Sequence, residues 1–332
     1  MITHYVGIDI SYKTATVAWQ PAPDDNPTVE EIQQTPNAYR KLIQRLSKLA
    51  SPQQIQVVME ATGSYWMAIA YALYDAGFVV SVVNPSDPKH FAKLQRQHAK
   101  TDRIDAIMLM RFTQQQQPAA WTPPPDICEQ LRQLLTLRDQ LKQLRTQVGN
   151  QLHALQQNPK TIPQVLEIQM RYHRQLDQDI KQLKKQIHTL LHTHSEWAQS
   201  ADYLMSIPGI STISTAWLLV ATHNFVRCDT PQQAASFAGL APYARDSGNK
   251  SGYRSIGGGG HKSLRDTLYM ASAPASRFNP ILKPFYDDLV KRGKPKKVAR
   301  CAVARKLIHL AWACATKQRY FDPNFQQQAQ VA

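Results

Sequence analysis

Tyr5-Val6-Gly7-Ile8-Asp9-Ile10 is a short apolar run that delivers a carboxylate near its end. A run of this length bounded by polar turn residues reads as a β-strand. A tight connection leads to a second run, Thr14–Trp19, so the two form a hairpin, and a third strand is expected near Thr28–Gln33. Ile55–Met59 is a further strand, and it delivers Glu60. Phe78–Val83 is nearly continuous in apolar residues, as a strand covered on both faces would be, and Asn84-Pro85 breaks it. Between these strands, Asn37 is expected to cap a helix carrying Leu42, Leu46 and Leu49. Tyr65–Ala76 reads as a helix that stops at Gly77. A last helix begins near Thr101, a suitable N-cap. Residues 1–120 therefore read as an α/β domain.

Four acids stand at telling places in that pattern. Asp9 and Glu60 lie at strand ends, and neighbouring strands about 4.8 Å apart would set them at one end of a sheet. Asp102 and Asp105 are spaced i, i+3 on the last helix and face the same way. Each acid also has a plainer reading. Asp9 can close a turn, Glu60 can cap the next helix, and Asp102 is favoured by a helix N-terminus. Together they follow the order strand-Asp, hairpin, strand-Glu, helix-DxxD, which is that of a ribonuclease H-like metal site. Four such carboxylates repel one another without cations. A magnesium pair neutralises them and activates in-line phosphoryl transfer. Gly7-Ile8-Asp9 alone also suits an actin-like sugar kinase.

The remainder of the chain is helical in pattern. Residues 121–199 differ in composition, and after Pro123-Pro124-Pro125 Gln and Leu dominate. Leu134, Leu137, Leu141, Leu144 and Val148 recur at 3-4 spacing, as do Leu176, Ile180, Leu183, Ile187 and Leu190 beyond Pro159 and Pro163. Two such helices make either a helical arm folded on itself or a dimerising coiled coil. Residues 200–325 contain Ile207-Pro208-Gly209-Ile210, an apolar helix over Thr215–Ala221, a Gly/Ser-rich loop over Ser247–Gly260, a helix from Ser263 and a basic stretch over Lys291–Lys306.

Charge points to the partner. The 332 residues carry 39 Lys and Arg against 24 Asp and Glu, a net charge of +15. Between Arg245 and Lys306, fifteen Lys/Arg face four Asp, leaving +11 in that stretch. Such an excess calls for a polyanion, either nucleic acid or an anionic membrane surface. No apolar run approaches the ~20 residues that span a bilayer, and Met1-Ile2-Thr3-His4 does not open a signal peptide. Cys128, Cys228, Cys301 and Cys314 form no CxxC pair, so they read as reduced thiols. Nucleic acid is the expected partner and membrane is not.

The motifs together resemble a known family. Tyr5–Asp9, Glu60-Ala61-Thr62-Gly63, Asn84-Pro85 and Lys100-Thr101-Asp102-Arg103-Ile104-Asp105-Ala106 are similar to the DEDD transposases of bacterial insertion sequences, relatives of the Piv and MooV DNA invertases. Ser206–Ile210, Phe237-Ala238-Gly239-Leu240-Ala241-Pro242, Asp246-Ser247-Gly248 and Leu264–Met270 resemble that family's second domain. The resemblance implies a RuvC-like (ribonuclease H-like) catalytic domain at 1–120, a coiled-coil arm at 121–199 and a mainly α transposase domain at 200–325. It implies magnesium, one ion or two, on Asp9, Glu60, Asp102 and Asp105, and Ser247 as the nucleophile of a phosphoserine intermediate. The site would be shared between protomers of a dimer or tetramer. The expected partners are donor and target DNA and a structured bridge RNA, in the bacterial cytoplasm at the nucleoid.

Around this site, Lys100, Arg103, Arg245, Lys250, Arg254, Lys262, Arg265, Lys294, Lys296 and Lys297 are the expected nucleic-acid contacts. Two departures from the family pattern stand out. Ser211 replaces the glycine that often follows Ile-Pro-Gly-Ile, weakening a backbone–phosphate contact there. Gly257-Gly258-Gly259-Gly260 lacks a lysine found in many members, leaving Lys250 or Lys262 to act instead. By composition alone Asp246-Ser247-Gly248 is a surface turn, and a serine needs its proton removed or its target polarised before it attacks. His261 can serve as acid or base, or merely bond local backbone. The competing readings are a junction resolvase-like endonuclease using water, a non-catalytic nucleic-acid-binding protein and, more distantly, a sugar-kinase-like ATPase.

Overall fold

A computed structural model describes residues 1–22, 25–95, 101–243, 255–256 and 259–324. The chain divides into two compact units, Met1–Pro123 and Pro124–Ala332.

The first unit is a mixed sheet with helices on both faces. In chain order it runs β1 (His4–Ile10), β2 (Thr14–Trp19), β3 (Thr28–Gln33), α1 (Pro36–Leu46), β4 (Ile55–Glu60), α2 (Met67–Asp75), β5 (Val79–Val83), α3 (Ser86–Leu94) and α4 (Asp102–Gln116). The strands lie in the order β3-β2-β1-β4-β5. β1–β3 form an antiparallel meander, whereas β4 and β5 run parallel to β1. Side chains alternate between the faces, as a two-residue period demands. Val6, Ile8, Val17, Val57 and Met59 pack against Leu42 and Leu46 of α1 and Ile69 and Leu73 of α2. Val58 and Val83 turn the other way, toward Phe91 of α3 and Leu109 and Phe112 of α4. Trp121 meets Trp66, Tyr71 and Tyr74 edge-on, which anchors the end of the unit.

Two local expectations change. Thr35, not Asn37, caps α1, because its side chain accepts the Ala38 N–H, while Asn37 Oδ1 accepts from Arg40. A helix also follows Asn84-Pro85: α3 begins directly after Pro85, and Asn84 Oδ1 accepts the N–H of its first residue, Ser86, at 3.0 Å. The sequence pattern had shown only a strand ending there.

The second unit is mainly helical. It contains α5 (Asp126–Gln157), α6 (Pro163–Leu191), α7 (Ser195–Met205), α8 (Thr212–Thr222), α9 (Pro231–Phe237), the two-residue strands β6 (Pro242–Tyr243) and β7 (Ser255–Ile256), α10 (Lys262–Phe278), α11 (Leu282–Lys291) and α12 (Lys296–Thr316). α5 and α6 fold back on each other. Arg145 pairs with Asp177 at 2.5 Å, and Gly149 faces His173. The buried stripe is not wholly the one its 3-4 spacing predicts. Leu131 and Leu135 are fully buried, whereas Leu137 is 45% exposed, because the base of α5 also packs on α8. Every residue of α8 from Ile213 to Thr222 is buried. A helix apolar on all sides belongs in a core, and α8 is that core helix.

Candidate active site

Asp9 and Glu60 stand level on adjacent parallel strands. Ile8 is paired with Met59, so the next residues along β1 and β4 are the two acids. Their faces follow from their neighbours. Gly7 lies against α4 and Val58 packs on Leu109, and the acids two residues further on share that face. The row continues across the sheet: Asp9 pairs with Thr16, and Thr16 with Glu31. Along one line of the α4 face therefore lie Glu60, Asp9, Thr16 and Glu31.

α4 brings the other two acids. Thr101 caps it by accepting the Ile104 N–H at 3.3 Å, and Asp102 and Asp105 occupy its first turn, where the helix dipole favours negative charge. Gly7 lets the helix come down on the sheet, since a side chain there would collide with the Ala106 carbonyl and the Met110 amide nitrogen. Asp102 is one turn ahead of Ala106. It helps line an open groove with Thr16, Val29, Glu31, Thr101 and Arg103. The sequence pattern missed Glu31. Only the β1–β2–β3 register shows that it belongs to the acidic row.

Asp9 and Glu60 lie on the sheet face that α4 covers, and Asp102 and Asp105 lie on α4 itself, yet the four are not closed on a single point. Among the described residues, no group of three or more His, Cys, Asp or Glu is gathered tightly enough to hold a metal ion. Their donor chemistry is nevertheless that of a hard cation. All four would offer carboxylate oxygens, which suit magnesium and not a thiolate-preferring metal.

In the second unit, Tyr243 pairs with Ser255, so β6 and β7 bring the chain back on itself. Ser247, Arg245, Lys250, Arg254 and Gly257-Gly258 lie outside the described residues, as does Lys100 in the first unit. His261 follows this segment. Its Nδ1 accepts the Leu264 N–H at 3.2 Å and caps α10. Its ring lies beside Trp217 and Phe237. Burial lowers its pKa below the ordinary histidine value, aided by the charges of Arg132 and Arg265. His261 thus makes the local backbone contact, as a neutral acceptor. Arg265 donates to the Gly259 carbonyl at 2.6 Å, which occupies one edge of its guanidinium. Lys262 is 4.0 Å from Asp266 and largely exposed. Arg103, Lys294, Lys296 and Lys297 are all exposed.

Known proteins resemble this chain in sequence. A DEDD transposase profile of the IS110 type matches residues 6–159, and a profile described as transposase, IS116/IS110/IS902 family, matches residues 201–287. The pilin gene-inverting protein of Moraxella bovis is 32% identical over 81% of this chain and 82% of its own length. The chain belongs to the IS110 family of transposases. The Moraxella lacunata pilin gene-inverting protein is 31% identical over the same shares. The transposase for insertion sequence element IS1328 of Yersinia enterocolitica is 25% identical over 84% of the chain and 89% of its own length. Asp9, Glu60, Asp102 and Asp105 lie in the first matched stretch, and Ser247 lies in the second. Among the described residues, no helix is long and apolar enough to cross a membrane.

Proposed function

We propose that this IS110-family transposase is a site-specific DNA recombinase that cuts and rejoins strands through Ser247, assisted by magnesium on Asp9, Glu60, Asp102 and Asp105. One observation carries the reading: two acids level on β1 and β4 face a helix whose capped first turn holds two more. The strand order β3-β2-β1-β4-β5 supports a RuvC-like first domain. Relatives named for gene inversion and for transposition support DNA as substrate, because both outcomes require strands to be rejoined.

Magnesium bound there would polarise the scissile phosphate and neutralise charge that builds on it. The protein's residues do the rest. The Asp9–Glu60 pair on rigid strands and the Thr101 cap on α4 hold the carboxylates in place. Ser247 Oγ loses its proton and bonds to phosphorus, and one sugar oxygen leaves and takes up a proton. Attack by another strand's hydroxyl then breaks the Ser247–phosphorus bond and restores the serine, so the bond energy is kept. Arg245, Lys250 and Arg254 supply positive charge for the crowded phosphorus centre.

The reading extends to the partners. A structured bridge RNA pairs with donor and target DNA, and dimers assembling into tetramers place the serine of one protomer against the acids of another. Residues 121–199 form a coiled-coil arm between the two catalytic domains, 1–120 and 200–325. The protein works at the nucleoid in the bacterial cytoplasm.

Denaturing gels of protein mixed with its element's DNA test the assignment. Wild-type protein is expected to leave covalent protein–DNA adducts, and Ser247→Ala to leave none while still binding DNA. Adducts that persist in Ser247→Ala overturn the serine's role. Nicked but never rejoined DNA that is indifferent to Ser247→Ala points instead to a water-using endonuclease.

A further inference from the structure

The roots of α5 and α6, the start of α8 and one face of α10 enclose a cleft of ≈ 550 Å³ within the second unit. Four cations line it: Arg138 and Lys142 from α5, Lys184 from α6 and Lys262 from α10. Two carboxylates share the wall, and both are engaged. Asp139 accepts from Arg138 at 2.6 Å and from the Trp217 indole at 3.1 Å. Asp266 stands 4.0 Å from Lys262. Lys142 and Lys184 have no carboxylate within ion-pair distance among the described residues, and Arg138 Nε is buried without a hydrogen-bond partner.

The cleft's third wall adds to this field. Gly209, at φ +109, packs so closely on α10 that a side chain would come within 2.6 Å of Ala275 Cβ. The chain then turns into α8, where Ser211 accepts the Ser214 N–H at 3.4 Å. The first N–H groups of a helix lack partners within it, and they carry its positive dipole end. Two lysines, an incompletely bonded guanidinium and a helix start thus converge on one concavity. Like charges brought together this way repel until an anion enters.

We infer that this cleft binds the phosphodiester backbone of a nucleic acid strand and clamps it at the root of the α5–α6 pair. The proposal rests on the reading of the protein as a DNA-processing enzyme. The lining explains why the ligand is a backbone and not a base. It holds cations and hydroxyls, and no aromatic ring on which a nucleobase could stack. The contact is therefore independent of base sequence. Lys142 and Lys184 lie outside the basic stretch from Arg245 to Lys306, and folding brings them to Lys262 within it.

Binding of the full chain to a short random-sequence DNA duplex and, separately, to a stem-loop RNA tests the cleft. Both are measured against salt concentration with EDTA present, so no strand chemistry contributes. Removing Lys142 and Lys184 together by Ala substitution is expected to lower the slope of log affinity against log salt by about 2, near one for each phosphate no longer neutralised. The Lys→Arg pair should keep the slope, and Asp266→Asn should tighten binding. As a charge-matched control, Lys181→Ala with Lys185→Ala, on α6 but outside the cleft, should leave it unchanged. A slope that falls for one polymer alone names the strand the cleft holds. An unchanged slope for both polymers, or an equal fall in the control, overturns the proposal. Ser247 adducts would report separately on the recombinase reading.

Discussion

Gly7 of β1 lies directly beneath Ala106 of α4, and the contact leaves no room for a side chain. A Cβ at position 7 would run into the Ala106 carbonyl oxygen and the Met110 amide nitrogen, with the Leu109 carbonyl carbon 2.9 Å away. These are backbone atoms of a helix, which cannot swing aside as a side chain can. Gly7→Ala is therefore expected to lift α4 from the sheet and destabilise the first unit by about 1–3 kcal/mol, the usual range for overpacking. Thermal melting measures the loss. Strand transfer should fall further than stability does, since Asp102 and Asp105 ride on the displaced turn. A Gly7→Ala protein as stable and active as the wild type would contradict the close approach.

The acidic row predicts a response to magnesium that needs no turnover. An ion that binds the folded chain and not the unfolded one raises the melting temperature by mass action. Wild-type protein should therefore melt higher in magnesium than in EDTA. Asp9→Asn and Glu60→Gln should each lose most of that gain, measured as the difference between each variant's own melting temperatures in magnesium and in EDTA. Equal magnesium shifts in wild type and variants would remove these acids from the site.

Acid should weaken the second unit through His223. This residue ends α8 in the left-handed region at φ 50. Burial, helped by the nearby positive charge of Arg227, pushes its pKa down to about 4 from the ordinary 6.5. The folded state thus resists a proton that the unfolded chain accepts. Stability from this group is complete above about pH 6.5 and is lost progressively as pH falls toward 4. Burial depresses His261 and His309 as well, and they act with the same sign. His223→Asn keeps a side chain that tolerates the left-handed region. It should flatten part of the fall in melting temperature between pH 7 and 4, and an identical pH profile in that variant would refute the assignment.

Much of the first unit was legible because its signals are local. The alternation through Val6, Ile8, Val17 and Val57 marked the strands, and the hydroxyl of Thr101 marked the start of α4. Other features were hidden for a physical reason. Thr35 and Asn37 are both good cap residues, and only backbone geometry chooses between them. Leu131 and Leu135 are more deeply buried than Leu137 because α8 comes against the base of α5, a contact no heptad encodes. Glu31 looked like one more exposed strand residue until the register of β3 on β2 put it in line with Asp9.

By itself the sequence singled out the residues proposed to carry the chemistry: the acids at two strand ends and a helix start, a basic second half, and family motifs from Tyr5 to Met270. These follow from residue type and short spacing, which need no knowledge of the fold. Tertiary structure alone decided which of them meet. Asp9 and Glu60 are level because β4 pairs with β1 in one register, and α4 reaches them because position 7 has no side chain. Lys142 and Lys184 converge because α5 and α6 are antiparallel, with 41 residues of chain between them. Pairing and packing over such separations depend on long-range contacts, and spacing along the chain does not record them.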